Sequence, residues 1–427
     1  MTVNPRQTVT RQQGQGAFDP SLSLYHLLDP QILANPYPLY HRLRSEDPVH
    51  WDPFLHAWVV TRYTDVVTVF QKFSANRTPT PEQLTTLGLS ALTPLAQVMV
   101  HQMLFLDNPA HARVRGLASK AFTPRRVEVL RSHIQDITSS LLDAVLAREH
   151  TANPGQPGQM DIIADLAYPL PAIVTAEMLG VPTTDWRQLT MWSADFAQVL
   201  GNFQHNPDYA TRALRSLEEM TAYFRAAVSE QRRHPRDGLI HALLSAELDG
   251  DRLTEDEVVA NTIVTMVGGQ ETTTNLIGNG MLSLLRNPDQ LAKLKADPTI
   301  IPSAIEELLR YESPSQHTAR LAPDDVMLGG KTISKRQAVI AVMGAANRDP
   351  ERFVNPDQLD ICREDNRHVA FAWASHFCFG APLARLEGQI AFATLLRRIP
   401  AINLQPGPIV WRENLGLRGL KALPVSF

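Results

Sequence analysis

One stretch of this 427-residue chain sets the terms for the rest: from Thr254 to about Arg286 the residue pattern is helical without a break. Val258, Val259, Ile263, Met266, Val267, Leu276, Ile277, Met281 and Leu284 occupy most faces of that helix rather than one stripe. A helix apolar on most faces has to be buried, so the fold must be built around it. Thr254 and Glu257 form a capping-box pair at its start, and at 1.5 Å per residue it runs roughly 50 Å. Its middle breaks the rules of a buried helix with Gly268-Gly269-Gln270-Glu271-Thr272-Thr273. Two glycines cost about 1 kcal/mol each relative to alanine, and a buried carboxylate and hydroxyls need partners. A helix crossing that requires small residues is one reading. An acid and an alcohol directly after the glycines favour a functional site, because local rules tend to fail at such positions.

The remainder reads as mainly α with small β-sheets, not as a βαβ alternation. A helical pattern begins at Pro36 and reaches Arg44, and from Thr123 to about Glu247 most of the chain is helical. Val49–Trp51 and Ala57–Val60 read as a hairpin through Asp52-Pro53-Phe54-Leu55. A second group of short strands follows Pro323: Val326–Leu328, Lys331–Ile333 across Gly329-Gly330, and Ala338–Val342. No nucleotide-binding glycine pattern is present; Gly278-Asn279-Gly280 lacks the third glycine and lies inside the long helix. A formal charge of -4 argues against a nucleic-acid partner. The longest apolar runs are too short to span a membrane. Residues 1–19 are polar and read as a disordered leader, which leaves 20–427 for the folded part. Length alone suggests two or three domains at ~150 residues each, with one large domain as the alternative. Two cysteines exclude both a disulfide scaffold and a four-cysteine zinc site, and both thiols are expected to stay reduced in a cytoplasmic protein.

Those two cysteines differ. Cys362 sits beside Arg363-Glu364-Asp365 and reads as an ordinary thiol. Cys378 lies in Phe371-Ala372-Trp373-Ala374-Ser375-His376-Phe377-Cys378-Phe379-Gly380, just before a helical run from Ala381 to Ile390. A helix N-terminus stabilises a thiolate. A lone cysteine is more often a small buried hydrophobe, and a nucleophilic pair with His376 needs an in-line base that i, i+2 neighbours seldom provide.

This loop resembles the haem-binding signature of the cytochrome P450 family, Phe-Gly-x-Gly-x-His-x-Cys-x-Gly. It matches at Phe371, His376, Cys378 and Gly380 and departs at Ala372 and Ala374, where the family has glycine. Gly269-x-Glu271-Thr272 resembles the family's oxygen-activating helix motif. Glu307-Leu308-Leu309-Arg310 resembles its Glu-x-x-Arg pair, and Asn347–Phe353 its later arginine segment. Asp107–Arg115 is similar to the segment that meets the haem propionates in soluble bacterial members. The five stretches stand in the family's order and cover the chain from about residue 20 to its end. The resemblance therefore implies a single fold with haem b between the long helix and the cysteine loop.

It also implies roles. Cys378 becomes the axial ligand of the haem iron, a donor that favours O–O cleavage, with Phe371 shielding the sulfur and Gly380 among the cofactor-binding positions. The alanines at 372 and 374 imply a slightly shifted loop. His111, Arg115, Arg320 and His376 would meet the propionates, and Gly268 and Gly269 would leave room for dioxygen. Thr272 is the hydroxyl beside dioxygen and Glu271 the acid that relays protons to it. Glu307 and Arg310 form an i, i+3 ion pair, which Arg352 joins in the family as a structural group. The substrate pocket is expected from Leu84–Leu106, including Leu104, from Trp186–Asn206, from Val264, Val267 and Gly268, from Gln316–Thr318 and from Leu415–Leu417. Its aliphatic lining favours a lipophilic substrate such as a terpenoid, macrolide, fatty acid or steroid.

The implied activity is a monooxygenase that inserts one atom of O2 into a C–H or C=C bond. Electrons would come from NAD(P)H through a separate ferredoxin reductase and ferredoxin, since no flavin or iron–sulfur motif is present. Arg113, Lys120, Arg125 and Arg126 are candidates for docking an acidic ferredoxin, and the expected state is a monomer. The rival readings are a haem sensor or carrier without turnover, for which Glu271-Thr272 has no use, and a peroxide-driven haem-thiolate enzyme, which commonly lacks that pair.

Overall fold

A computed structural model describes residues 19–152, 155–201 and 207–427. The leader expected over 1–19 lies outside the described residues apart from Asp19. The long helix runs Glu255–Arg286, with the Thr254 hydroxyl accepting from the Glu257 N–H and the Glu257 carboxylate accepting from the Thr254 N–H at 2.8 Å. It is buried along most of its length, and the largest apolar cluster of the molecule gathers around it. Helices Pro169–Leu179, Trp186–Gly201, Pro207–Arg233, Ile301–Tyr311 and Ala381–Arg398 all pack against it.

Small residues make these crossings close. A Cβ on Gly278 would lie 2.4 Å from Ile163 Cδ1, and one on Gly280 would lie 2.9 Å from Phe392. The Gly278-Asn279-Gly280 run is therefore a packing device, consistent with the missing third glycine.

The expected hairpin pairs Val49–Asp52 with Ala57–Val60 in antiparallel register. It belongs to a four-stranded sheet in which Ala57–Val60 also pairs in parallel with Ala338–Ala341, whose other edge takes Thr318–Leu321. Thr318–Leu321 is too short, and too interrupted by Arg320, for alternation to reveal it. Val326–Leu328 and Lys331–Ile333 form the second hairpin, with Gly329 and Gly330 both in the left-handed region. Gln159–Asp161, Pro424–Ser426 and Asn403–Leu404 form a three-stranded sheet in that order. None of the helices among the described residues is long and apolar enough to cross a membrane.

Candidate haem and oxygen site

The long helix, the cysteine loop and the start of helix Ala381–Arg398 enclose a cavity of about 340 Å³. Val264, Thr265, Val267, Gly268, Gly269 and Thr272 form its helical wall, while Phe371, His376, Cys378, Gly380, Leu383 and Ala384 form the opposite one. The two glycines divide the two readings the sequence allowed. A Cβ on Gly268 would meet open space, so this position keeps the cavity clear. A Cβ on Gly269 would lie 3.1 Å from Thr175 Oγ1, so Gly269 also serves a helix crossing.

Backbone bonds and two unusual alanines hold the cysteine loop. The Cys378 N–H donates to Phe371 O at 2.8 Å, and Phe377 N–H to Ala374 O at 3.0 Å. Ala372 and Ala374, where the family has glycine, adopt φ 59° and 58°. The loop thus keeps the left-handed turns with side chains that resist them, at roughly 1–2 kcal/mol each. Beneath it, Arg385 lies 4.6 Å over the Phe371 ring and pairs bidentately with Glu306 at 2.7 and 2.8 Å. Burial would raise the Glu306 carboxyl, but its bonds to Arg385 and His368 bring it down to about 2. Burial pushes the Cys378 thiol up, against the N–H of Gly380, the Arg115 guanidinium and the N–H of Ala381.

One corner of the cavity is basic. The His111 and His376 rings lie 4.0 Å apart, and Arg115 donates to Phe377 O at 2.8 Å. Arg320 lies over the Phe70 ring, and Arg77 lines the cavity near it. Burial followed by the neighbouring cationic groups holds His376 neutral, with a pKa of about 3, and His111 is lowered mainly by burial. His111 Nε2 and Arg320 Nε are buried without a hydrogen-bond partner among the described residues. Orphaned buried polar atoms cost roughly 1–3 kcal/mol each. A group with two carboxylates, such as haem, fits this corner, and the Cys378 thiol, a candidate iron ligand, lines the same cavity.

On the opposite wall the Thr272 hydroxyl donates to Gly268 O at 2.7 Å and lines the cavity. Glu271 faces away. Its carboxylate pairs with Arg412 at 2.6 Å, and burial raises its pKa despite that pair. Arg412, from the C-terminal region, had no motif to announce it.

Several expectations change. Arg352 does not join the Glu307–Arg310 pair. It bonds Asp365 at 2.8 and 2.7 Å and lies on the rings of Tyr63 and Phe353, nearer the surface. Arg363 takes the inner position, 3.1 Å from Glu307, and Arg310 bonds the carbonyls of Asn347, Pro356 and Gln358. Arg113 does not present a free charge for docking, because Asp251 and Glu257 both bind it. Lys120 donates to Glu247 O at 2.7 Å, while Arg125 and Arg126 are exposed.

Leu104, Val264, Val267, Gly268 and Thr318 line the cavity as expected, with Gly416 and Leu417. Within Leu84–Leu106 only Met103 and Leu104 do so, since Leu84 turns into the protein interior. The described part of Trp186–Asn206, residues 186–201, does not reach the cavity, and residues 202–206 lie outside the described residues. Thr175 and Met178 of helix Pro169–Leu179 take that wall instead. Met343 and Glu387 also line it unannounced. Glu387 had a signal, an acid four residues after Leu383 on the buried face of its helix.

A family model for cytochrome P450 matches residues 90–401. A biotin-biosynthesis cytochrome P450 of Bacillus subtilis is 39% identical over 401 residues, covering 93% of this chain and 97% of that one. The monooxygenase PikC of Streptomyces venezuelae is 39% identical over 428 residues, covering 97% and 96%. Among solved structures, P450BioI in complex with an acyl carrier protein ligated to hexadec-9Z-enoic acid superposes with a TM-score of 0.85 at 38% identity, covering 93% of this chain and 99% of that one.

Proposed function

The chain belongs to the cytochrome P450 family of monooxygenases, and from that premise we propose that it oxygenates a lipophilic, uncharged small molecule at a C–H or C=C bond. One observation carries the reading: Cys378 and Thr272 line opposite walls of one largely apolar cavity. Haem b, when bound with its iron on Cys378, supplies dioxygen activation, so that one oxygen atom enters the substrate and the other leaves as water.

The chain's own residues do the rest. The N–H groups of Gly380 and Ala381 and the Arg115 guanidinium favour the thiolate of Cys378. His111, Arg115, Arg320 and His376 would hold the propionates, and Gly268 keeps space beside the helix. Thr272 holds its proton on Oγ1, bonded to Gly268 O at 2.7 Å and facing the cavity, ready to turn toward a reacting oxygen. Glu271, paired with Arg412 on the side of the helix turned from the cavity, would take protons from solvent at that pair, where the Arg412 side chain is 19% exposed, and deliver them only by swinging from Arg412 toward Thr272. Met103, Leu104, Met178, Val264 and Val267 bind the substrate by apolar contact, and flexible methionines suit varied shapes.

Among the described residues, the cations lining the cavity, Arg77, Arg115 and Arg320, all stand at the basic corner, and none is set aside for a substrate carboxylate. A macrolide, terpenoid, steroid or esterified acyl chain fits best. Relatives named for polyketide and biotin biosynthesis, and the neighbour holding an acyl carrier protein, support that range. Electrons come from NAD(P)H through a ferredoxin reductase and a ferredoxin docking near Arg125 and Arg126. The enzyme acts as a cytoplasmic monomer, where its two free thiols remain reduced.

The test is isotopic. Purified protein with a ferredoxin, its reductase and NADPH, screened against macrolide, terpenoid and steroid panels, should place one atom from 18O2 in the product. Oxygen drawn only from water would overturn the reading.

A further inference from the structure

The resemblance assigns four residues to the haem carboxylates, but the basic corner holds a fifth. Arg77 follows a segment pinned at both ends. Ser74 exchanges backbone bonds with Leu321 at 2.8 and 2.9 Å, and the Ala75 N–H donates to Asp107 Oδ1 at 2.8 Å. Among the described residues the Arg77 guanidinium bonds only Ala75 O, at 3.1 Å, and it lies 4.5 Å over the Phe105 ring, facing the cavity beside Arg320 and His376. It has no carboxylate partner among the described residues. Burial, and then the Arg320 charge, bring its pKa down to about 9, so the charged form is held at a cost.

Counting charge at this corner gives the missing partner. Arg77, Arg115 and Arg320 bring three guanidinium groups, whereas the carboxylate felt by His111, Arg320 and His376 is Asp107 alone. Burial keeps both histidines neutral. Two positive charges are left over, the number that two haem propionates neutralise. Buried charges are retained where a partner compensates them.

We propose that Arg77 is a third guanidinium of the haem-propionate site, completing its charge balance, and not an anchor for a substrate carboxylate. The inference rests on the haem reading above. Arg77 binds the cofactor's edge through charge-assisted hydrogen bonds, the strong class of such bonds.

The experiment follows haem transfer from purified holoprotein to excess apomyoglobin, after the ferrous–carbon monoxide spectrum has established haem-thiolate in the parent. Arg77→Leu should speed haem loss by tenfold or more, on the order expected for a lost charged hydrogen bond. Arg77→Lys, which keeps the charge, should stay within about threefold. Arg77→Gln covers the case in which Arg77→Leu takes up no haem, and its rate should lie between the two. Spin-shift titration with dodecanoate should be the same in parent and Arg77→Gln, whether binding is weak or absent in both, because no cation is set aside for its carboxylate. Loss rates equal to the parent's in both uncharged variants overturn the proposal. Weakened dodecanoate binding at an unchanged loss rate assigns Arg77 to substrate instead. A parent without a thiolate–haem spectrum fails the haem reading, whereas a normal spectrum with variant-independent haem loss fails only this one.

Discussion

The Glu271 carboxylate and the Arg412 guanidinium, 141 residues apart in the chain, meet at 2.6 Å on the side of the central helix turned from the cavity. Arg412 is itself fixed by bonds to Gly419 O and Leu420 O. The C-terminal region therefore decides where the acid of the central helix points. Removing Arg412 leaves a buried charge uncompensated. Arg412→Leu should cost roughly 2–4 kcal/mol of stability, and Glu271→Gln added to it should recover part of that loss. Denaturant midpoints of the two single variants and the double variant check this. Strictly additive losses would show that the pair is not coupled.

The left-handed alanines of the cysteine loop give a second expectation. Ala372→Gly and Ala374→Gly relieve about 1–2 kcal/mol of backbone strain each and lose roughly 0.4–1 kcal/mol to the freer unfolded chain. Each should stabilise the protein by about 0.5–1 kcal/mol, read from its unfolding midpoint. Destabilisation by either glycine would mean that the alanine methyl contributes packing that outweighs its strain.

Glu306 predicts a pH dependence. Its folded pKa of about 2 is depressed below the ordinary 4.5, so its pairing with Arg385 and His368 stabilises the fold above the ordinary value. That contribution falls away as pH drops through 4.5 toward 2. Glu306→Gln should therefore cost roughly 3 kcal/mol near neutral pH, with the difference from the parent shrinking in acid. A difference independent of pH would place the loss in packing rather than charge.

Thr272→Ala should uncouple the enzyme. Without the Oγ1 proton, NADPH consumption continues while product per NADPH falls, by up to the roughly 100-fold or more that one positioned proton donor contributes. Peroxide and product measured together check it, and unchanged coupling would remove Thr272 from this role.

The sequence made some of this plain and hid the rest for identifiable reasons. The central helix and its caps were legible because burial on most faces and the Thr254/Glu257 box are local signals. The cysteine loop was legible because its motif is contiguous. Arg412, Arg363 and Arg77 were not, since each acts on a residue or group far away in the chain and carries no local pattern. Arg352 misled because proximity in a motif is not contact: Asp365 is nearer to it than Glu307's buried carboxylate is. The wall expected from Trp186–Asn206 failed similarly, because Thr175 and Met178 approach the cavity first.

The most direct measurement is the absorption spectrum of the purified protein, reduced and bound to carbon monoxide. Thiolate ligation by Cys378 predicts a Soret band far to the red of that of a histidine-ligated haem, and its loss in Cys378→Ala. A band at the histidine position in the parent, or a red-shifted band that survives Cys378→Ala, would contradict the account.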